Sequence, residues 1–204
     1  MQPTRLRYTY ELASSYGVLD STLLQEPRLA SDTEISRFHT HTYIDATRRL
    51  SQGDKTLDPS LFGFGPGDNP VYAGKNDAAM LSTGGSMKGI DLLLSGQVNV
   101  AFNISGGLHH AMPTYTSGFC IFNDPVIAIM ELLRQGKKVA YVDIDCHHGD
   151  GVQHAFYDTN DVLTISLHES GEFLFPGTGF TQEIGTGFGQ GYSCLLYTSP
   201  SPRD

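Results

Sequence analysis

Residues 138–151 read KVAYVDIDCHHGDG, an apolar run that passes directly into a cluster of carboxylates, imidazoles and glycines. The run over Lys138–Asp145 predicts a buried strand. Because side chains alternate along a strand, Asp143, Asp145 and His147 fall on one side if the extended backbone continues past the sheet edge. A carboxylate and an imidazole two residues apart can both reach one divalent ion. Such a donor set without a thiolate favours a catalytic zinc or iron over a structural zinc.

The surrounding sequence predicts an alternation of strands and helices. Gly149 and Gly151 predict a sharp turn beneath the ion, followed by a short helix over residues 151–157. Apolar runs predict strands over residues 97–103 and 161–167. Helical spacing and capping residues predict helices over residues 5–16, from residue 33, and over residues 42–50, 76–94 and 123–134. Strands separated by helices indicate a parallel sheet with covered faces and its chemistry at the carboxyl ends of the strands.

The composition is typical of a globular α/β domain. The 204 residues are 39% hydrophobic and 17% charged, which suits one domain with a core. Lys and Arg number 13 against 22 Asp and Glu, and the net charge of −9 argues against a nucleic-acid partner. No apolar run approaches the roughly 18 residues of a membrane span, and no signal-peptide core is present at the start. Three scattered cysteines, Cys120, Cys146 and Cys194, do not form a disulfide frame, so a cytoplasmic enzyme is expected.

A second histidine cluster follows the strand predicted over residues 97–103. It reads GGLHH over residues 106–110. Either cluster alone is compatible with a solvated loop at a strand end. Together they offer two metal ligands, two imidazoles and two further acids, Asp143 and Asp150, each able to orient one imidazole. The combination suits metal-assisted hydrolysis, in which the metal polarises a carbonyl while a histidine removes and returns a proton.

Several long motifs carry a resemblance to a known family. GGLHHA, SGFCIFND, YVDIDCHHGDGVQHAFY, TISLH and FPGTG, in this order and spacing, closely resemble the zinc-dependent histone deacetylase family. The loop GFGPGDNPVYAG at residues 63–74 resembles the bacterial acetoin-utilisation deacetylase branch. The resemblance runs from about Arg5 to about Ser193. It implies an arginase-like, three-layer α/β fold with a central parallel sheet, and removal of acetyl from an acetylated lysine or a related small amine.

The resemblance also implies a role for each polar residue of the two clusters. Asp145 and His147 look like zinc ligands, with iron as the alternative metal, which agrees with the spacing argument. His110 looks like the general base and acid, and His109 like the neighbour that supports the transition state. Each imidazole would pair with a carboxylate, His109 with Asp143 and His110 with Asp150.

Four residues resemble the family's substrate channel. Phe119, after Gly118, and Phe175 resemble its aromatic walls, although phenylalanines at such positions are more often core residues. Asp68 resembles a rim aspartate that hydrogen-bonds the substrate backbone, although Asp in such a loop is commonly a turn residue. Arg5 matches a buried arginine of the family near an internal cavity, although an arginine near a chain start is usually a surface charge.

Two structural potassium sites are implied by the resemblance alone. The first would use Asp143, Asp145, His147, Ser166 and Leu167. The second would use mainly backbone carbonyls, from Phe156, Thr159, Val162 and Tyr192. Cys120 and Cys146 lie beside the motifs, and buried packing is the expected role of both.

The sequence departs from the family pattern at both ends. A third zinc-binding aspartate and a transition-state tyrosine have no counterpart before the chain stops at Asp204, and Met1 already falls inside the pattern. Residues 1–193 are therefore predicted to be a partial catalytic domain with a fold incomplete at both ends. Residues 194–204, CLLYTSPSPRD, are predicted to be a non-native or disordered tail. We expect this chain to be a fragment with poor solubility and little or no activity.

Three functions remain open on the sequence. The first is a protein-lysine deacetylase of the acetoin-utilisation type, and the second is a deacetylase of acetylated polyamines or other small amides. The third is a non-catalytic module that binds acyl-lysine. A nucleotide-binding function is weakly supported, because the glycines at residues 63–67 and 185–191 do not form a GxGxxG that opens a helix after a strand.

Overall fold

The computed structural model describes residues 3–198. Its six helices are α1 (Pro3–Ser15), α2 (Asp32–Ile35), α3 (His41–Ser51), α4 (Lys75–Leu94), α5 (Asp124–Arg134) and α6 (Asp150–Ala155). Its three strands are β1 (Val139–Asp143), β2 (Val162–Glu169) and β3 (Ser193–Thr198). Short 3₁₀ turns occupy Pro59–Phe62 and Gly187–Gly189. The helices predicted from spacing and caps are confirmed to within a few residues.

The three strands form one parallel sheet in the order β1-β2-β3. Asp143, the last residue of β1, lies opposite Ser166 of β2, and Thr164 lies opposite Ser193 of β3. All three strands run in the same direction, so the loops that follow β1 and β2 leave the same edge of the sheet, although β2 continues past Ser166 to Glu169. This parallel arrangement confirms the prediction made from alternating strands and helices.

Short polar side chains define where the helices begin. Ser31 and Glu34 form a reciprocal capping box at the start of α2. Thr40 accepts the Tyr43 N–H at the start of α3. Asn123 accepts the Val126 N–H at the start of α5, where Pro125 occupies the first turn. These local signals explain why the sequence predicted the helix boundaries well.

The core consists of two clusters that share α5. One cluster packs α3, α4 and α5 around fully buried side chains such as Tyr43, Phe122 and Ile127. The other fills the space between α5, α6 and the sheet, around Val152 and Val162. The helices α5 and α6 thus cover one face of the sheet. The small polar side chains of Thr164 and Ser166 in β2 lie on this covered face.

The opposite face of the sheet is apolar and exposed. Its most exposed members are Val142 of β1, Leu167 of β2 and Leu196 of β3, at 57%, 44% and 55% exposure. Ile165 lies between them, opposite both Val142 and Cys194 in the register. The strand predicted to be buried on both faces is therefore covered on one face only by the described part of the chain.

The predicted strand over residues 97–103 is wrong. The segment forms no ladder within the described chain, and its side chains Val100 and Phe102 are 82% and 85% exposed. A strand needs a neighbour for its backbone hydrogen bonds, and the described sheet offers this segment none. Alternating apolar residues are therefore not sufficient for a strand here.

The expected disordered tail differs from the structure in its first part. Residues 194–198 continue β3 instead, with Cys194 opposite Ile165 and Leu195 buried against the covered face. The apolar residues 194–196 favour an extended strand, and the free edge of β2 offers them backbone hydrogen bonds. The remainder, residues 199–204, lies outside the described residues. That the tail is non-native stays a prediction.

Two further expectations about burial are wrong. Arg5 lies on the exposed surface of α1, because that helix keeps most of its side chains in solvent. Cys146 is exposed as well, whereas Cys120 is buried as predicted. Within residues 3–198, no helix combines the length and apolar character needed to cross a bilayer.

Candidate metal centre and acid–base site

The site begins where β1 ends at Asp143. The chain bends over residues 145–147 and enters α6 at Asp150. Asp143 Oδ1 accepts the Asp145 N–H at 3.0 Å, and Asp145 Oδ1 accepts the His147 N–H at 2.8 Å. Each carboxylate thus bonds the backbone two residues ahead, which folds the chain into successive tight turns. The two aspartates therefore fix the conformation of the loop that carries them.

The loop that carries the second histidine cluster is held by the start of α5. Asn123 Nδ2 donates to the carbonyls of His109 and Ala111, each at 3.0 Å. Asp124 Oδ1 accepts the Leu108 N–H at 2.9 Å. From the sequence, Asn123 and Asp124 were predicted only to start a helix. No local pattern marks them as more than that, because their partners lie in a loop more than ten residues away.

Both histidines are paired with the predicted carboxylates. His109 Nδ1 lies 2.6 Å from Asp143 Oδ2, and His110 Nδ1 lies 2.7 Å from Asp150 Oδ1. Both imidazoles are buried, and their ring centroids are 4.0 Å apart. Each carboxylate occupies the Nδ1 side of its ring, which leaves Nε2 of each ring for other chemistry. The structure brings together all four residues predicted to do acid–base chemistry.

The His109–Asp143 pair is electrostatically coupled. Burial by itself would lower the pKa of His109, but the hydrogen bond and charge of Asp143 outweigh burial and raise it. Burial would likewise raise the pKa of Asp143, but its bond to His109 lowers it. The Tyr141 hydroxyl also donates to Asp143 Oδ2 at 2.6 Å, a contact that sequence reasoning missed. The pair therefore favours an ionised Asp143 carboxylate beside a protonated His109 imidazole.

The predicted metal ligands lie next to these imidazoles. Asp145 Oδ1 is 2.9 Å from His147 Nδ1, and the His147 ring centroid is 5.9 Å from that of His110. Burial would raise the pKa of Asp145, but bonds from the His147 backbone and ring lower it, so the carboxylate is ready to bind a cation. Within residues 3–198, the one group of three metal-binding side chains is Asp145, Cys146 and His147. The donor chemistry fits a divalent transition metal.

The glycines of the motif serve close packing. A Cβ on Gly149 would meet the Asp143 carboxylate, and one on Gly151 would meet the carbonyl of His109. Neither residue has a positive φ. The predicted turn beneath the site is present, but its glycines are needed because other groups approach their backbone closely.

Two of the predicted channel residues border the site. The Phe175 ring centroid lies 5.0 Å from that of His110 and 6.3 Å from that of His147. Gly118 has a φ of +51°, and a Cβ there would meet both the His110 and the Phe175 rings. A side chain at this position would therefore close the space beside His110.

The other two channel residues lie farther out. Phe119 is 57% exposed, with a φ of +68°, and Asp68 is exposed on a neighbouring loop. The two loops are joined through Asn69, whose Oδ1 accepts the Phe119 N–H at 3.0 Å. Asn69 is not among the residues predicted from the sequence. The rim role of Asp68 and the wall role of Phe119 stay predictions.

The strand register of the sheet positions several of the residues predicted to bind potassium. Ser166 lies opposite Asp143, and its hydroxyl is 2.9 Å from His168 Nδ1. In the second group, the carbonyl of Tyr192 accepts the Thr164 N–H at 2.8 Å. Both potassium sites stay predictions.

Comparisons with known proteins agree with this geometry. The histone deacetylase domain family matches residues 1–204. The acetoin utilization protein AcuC of Bacillus subtilis (strain 168) is 44% identical over 191 residues, 93% of this chain and 49% of its own length. Histone deacetylase RPD3 of Saccharomyces cerevisiae is 43% identical over 195 residues, 95% of this chain and 45% of its own length.

Solved structures agree as well. The crystal structure of an HDAC homolog from Aquifex aeolicus superimposes with a TM-score of 0.84 at 37% identity, covering 91% of this chain and 50% of that one. The crystal structure of an HDAC homolog complexed with SAHA superimposes with a TM-score of 0.85 at 37% identity, covering 92% of this chain and 51% of that one. The chain thus spans about half the length of the relatives it matches.

Proposed function

Because this chain belongs to the histone deacetylase family, we propose that its site removes acetyl groups from acetylated lysine side chains by metal-dependent hydrolysis. Its fold is the arginase- and deacetylase-like α/β fold with a parallel sheet. One observation carries the proposal. Two buried His–Asp pairs, at 2.6 and 2.7 Å, stand beside a carboxylate and an imidazole spaced for a metal.

Asp145 and His147 would hold the metal, which is zinc in the family's usual chemistry, with ferrous iron as the alternative. When bound, the ion supplies a Lewis acid for the amide carbonyl and lowers the pKa of a water molecule. The His147 N–H donates to the carboxylate of Asp145, so this carboxylate would already be oriented before the ion binds. We assign the structural potassium ions of the family to the two predicted groups on the same basis of resemblance.

The His110 ring is placed to move the proton. Its Nδ1 is engaged by Asp150, so Nε2 can take a proton from the attacking water and return it to the leaving amine. An amide requires that return because an unprotonated amine is a poor leaving group. His109, with its pKa raised by Asp143, supplies positive charge beside the developing oxyanion. The two carboxylates keep both rings in one orientation.

The surroundings favour a thin, linear substrate arm. Gly118 leaves open the space beside His110, and the Phe175 ring stands on its border. An acetylated lysine side chain is a chain of methylene groups that can pass such an aromatic wall. Asp68, on the exposed rim, would accept backbone N–H groups of a protein substrate.

The test is acetate release from an acetyl-lysine peptide under excess of the zinc-loaded chain. Because two protein ligands hold zinc more weakly than three, we expect slow turnover, and the decisive comparison is between variants. His110→Gln is expected to lower the rate by about 100-fold or more, since it removes the proton carrier. His154→Gln, the same change at an exposed histidine of α6, is the matched control and is expected to keep the rate.

Equal rates for the chain and for His110→Gln would contradict the proposal. A peptide that binds without hydrolysis in either variant would indicate an acyl-lysine binding module instead. Running an acetylated diamine in parallel separates the substrate classes. Preference for the diamine over the peptide would favour the small-amide deacetylase.

A further inference from the structure

The Phe175 ring depends on its backbone for its position. The ring borders the acid–base site, with its centroid 5.0 Å from that of His110, but 45% of the residue is exposed. Residues 170–180, the wall loop, carry it between β2 and the turn at Gly187–Gly189 and contain neither a helix nor a strand. Neither deep burial nor a regular element therefore fixes the ring, and its position depends on the contacts that hold the wall loop.

A carboxylate holds the end of the wall loop. Glu183 Oε1 accepts the N–H groups of Gly179 and Phe180 at 3.0 and 2.9 Å. The other oxygen, Oε2, accepts a hydrogen bond from Gln153 Nε2 at 2.7 Å. Gln153 belongs to α6 and is buried. The Glu183 carboxylate thus connects the backbone of the loop to a buried side chain of the helix.

His148 makes a second connection to the wall loop. In this buried ring, Nε2 lies 2.9 Å from Gln153 Oε1, and Nδ1 lies 2.8 Å from the Thr178 hydroxyl oxygen. Because Gln153 Nε2 donates to the carboxylate, Gln153 Oε1 must accept, and the Ser193 hydroxyl also donates to it at 3.1 Å. A neutral His148 that donates from Nε2 and accepts at Nδ1 satisfies all of these groups. The network therefore has one consistent set of donors and acceptors.

The same part of the loop is tightly packed. Gly179 has a φ of +92°, and a Cβ there would meet the rings of His148 and His168. His168 Nε2 also donates to the Gly179 carbonyl at 2.9 Å. A Cβ on Gly171 would meet the Thr178 backbone, so the two arms of the loop are in contact. Closed at its base and bonded on one arm, the loop has little freedom to move its tip.

We infer that Glu183 is a positioning residue, which through Gln153 holds the wall loop and thereby the Phe175 ring. The inference rests on the proposed function, because that ring is the proposed wall for the acetylated arm of the substrate. The helix α6 also begins at Asp150, the partner of His110. Bonds from one helix to the wall loop and to the proton carrier keep the two at a constant separation.

The test uses Phe175→Trp as a fluorescent reporter, because the chain contains no tryptophan of its own. The partial exposure of the residue leaves room for the larger ring. In this background, Glu183→Ala is expected to lower the fluorescence anisotropy and to raise the acrylamide quenching constant by about 2-fold, because the released loop gains local motion. Glu172→Ala, which removes an exposed glutamate of the same loop, is the matched control and is expected to change neither.

An exchange of the two partners tests the hydrogen bond itself. Glu183→Gln alone brings two amide groups together and is expected to loosen the loop, because Gln153 Nε2 loses its carboxylate acceptor. Adding Gln153→Glu reverses the bond, so that the new carboxylate accepts from the amide at position 183, and the double exchange is expected to restore the anisotropy. With the native Phe175, Glu183→Ala is expected to slow acetate release by about 10-fold, and the double exchange to recover most of that rate.

The outcomes separate this inference from the proposed function. Unchanged anisotropy and quenching in Glu183→Ala overturn the inference, and so does an equal change in Glu172→Ala. A double exchange that recovers nothing, although circular dichroism shows it to be folded, overturns it as well. If Glu183→Ala itself fails to fold, Glu183→Gln and the double exchange decide. Absence of acetate release from every protein would contradict the proposed function, whereas the fluorescence would still decide the role of Glu183 because it requires no turnover.

Discussion

The imidazole of His39 is only 1% exposed, in a pocket formed by the rings of Phe38, Tyr43 and Phe122. Its Nε2 accepts the Asn123 N–H at 2.9 Å, so this nitrogen must be unprotonated. Burial lowers the pKa of His39 to about 4. This histidine therefore supports the residue that holds the His109 loop, and it does so only in the neutral form.

The pH dependence of stability follows from that pKa. Because the pKa of His39 is about 6.5 in the unfolded chain and about 4 in the folded one, the unfolded chain binds more protons between these values. The contribution of neutral His39 to the free energy of unfolding is complete above pH 6.5. As the pH falls toward 4 and below, the free energy of unfolding decreases by up to about 3 kcal/mol. Urea unfolding of the chain and of His39→Gln between pH 7 and 4 measures it. Parallel pH profiles for the two proteins would contradict the assignment.

At the scale of elements, the first turn of α5 connects three parts of the chain. Asp124 is 2% exposed and accepts hydrogen bonds from the Leu108 N–H, the Gly107 N–H and the Ser86 hydroxyl of α4. The helix N-terminus also favours a negative charge there. The position of the histidine loop thus depends on a helix that follows it in the sequence.

Asp124→Ala is expected to destabilise the chain by about 3 kcal/mol, because it leaves buried N–H and hydroxyl donors without an acceptor. It is also expected to lower the rate of deacetylation, since the loop beside His110 loses its support. Asp77→Ala removes an exposed acid from the first turn of α4 and should cost about 0.5 kcal/mol. Chemical denaturation and the acetate assay test both variants. Equal losses of stability in the two variants would show that Asp124 acts only through its negative charge in the first turn of a helix.

At the scale of the whole molecule, the residues that the structure describes cover one side of the sheet. The faces of parallel sheets are normally buried by helices, and here α5 and α6 cover one of them. The other face presents Val142, Leu167 and Leu196, all more than 40% exposed. An apolar surface of this kind favours association and binding of hydrophobic dyes.

The double variant Val142→Thr, Leu167→Thr is expected to reduce the fluorescence of a bound hydrophobic dye and to slow aggregation. Its free energy of unfolding should change by less than about 0.5 kcal/mol, because both side chains are exposed. Val162→Thr, on the covered face of β2, is the contrasting control, with a loss of about 1 to 2 kcal/mol from burying a hydroxyl. Dye binding and urea unfolding of the same samples test the difference. Unchanged dye binding in the double variant would place the dye elsewhere.

Local signals in the sequence were sufficient for most elements. The caps at Ser31 and Asn123 predicted helix starts because the interactions that define a cap span three residues. The two His–Asp pairs were expected because two spare acids could each orient one imidazole, and the resemblance to the family implied which acid pairs with which ring.

The sequence by itself determined which side chains could bind a metal and move a proton, since that chemistry belongs to residue types and spacing. Only the tertiary structure decided that residues 97–103 pair with no strand among residues 3–198, because a strand depends on a neighbouring strand for its hydrogen bonds. It also decided that Cys146 faces His147, because bends replace the alternation on which the prediction relied. Long-range contacts likewise made Asn123 and Asp124 supports of the site, which no local pattern reveals.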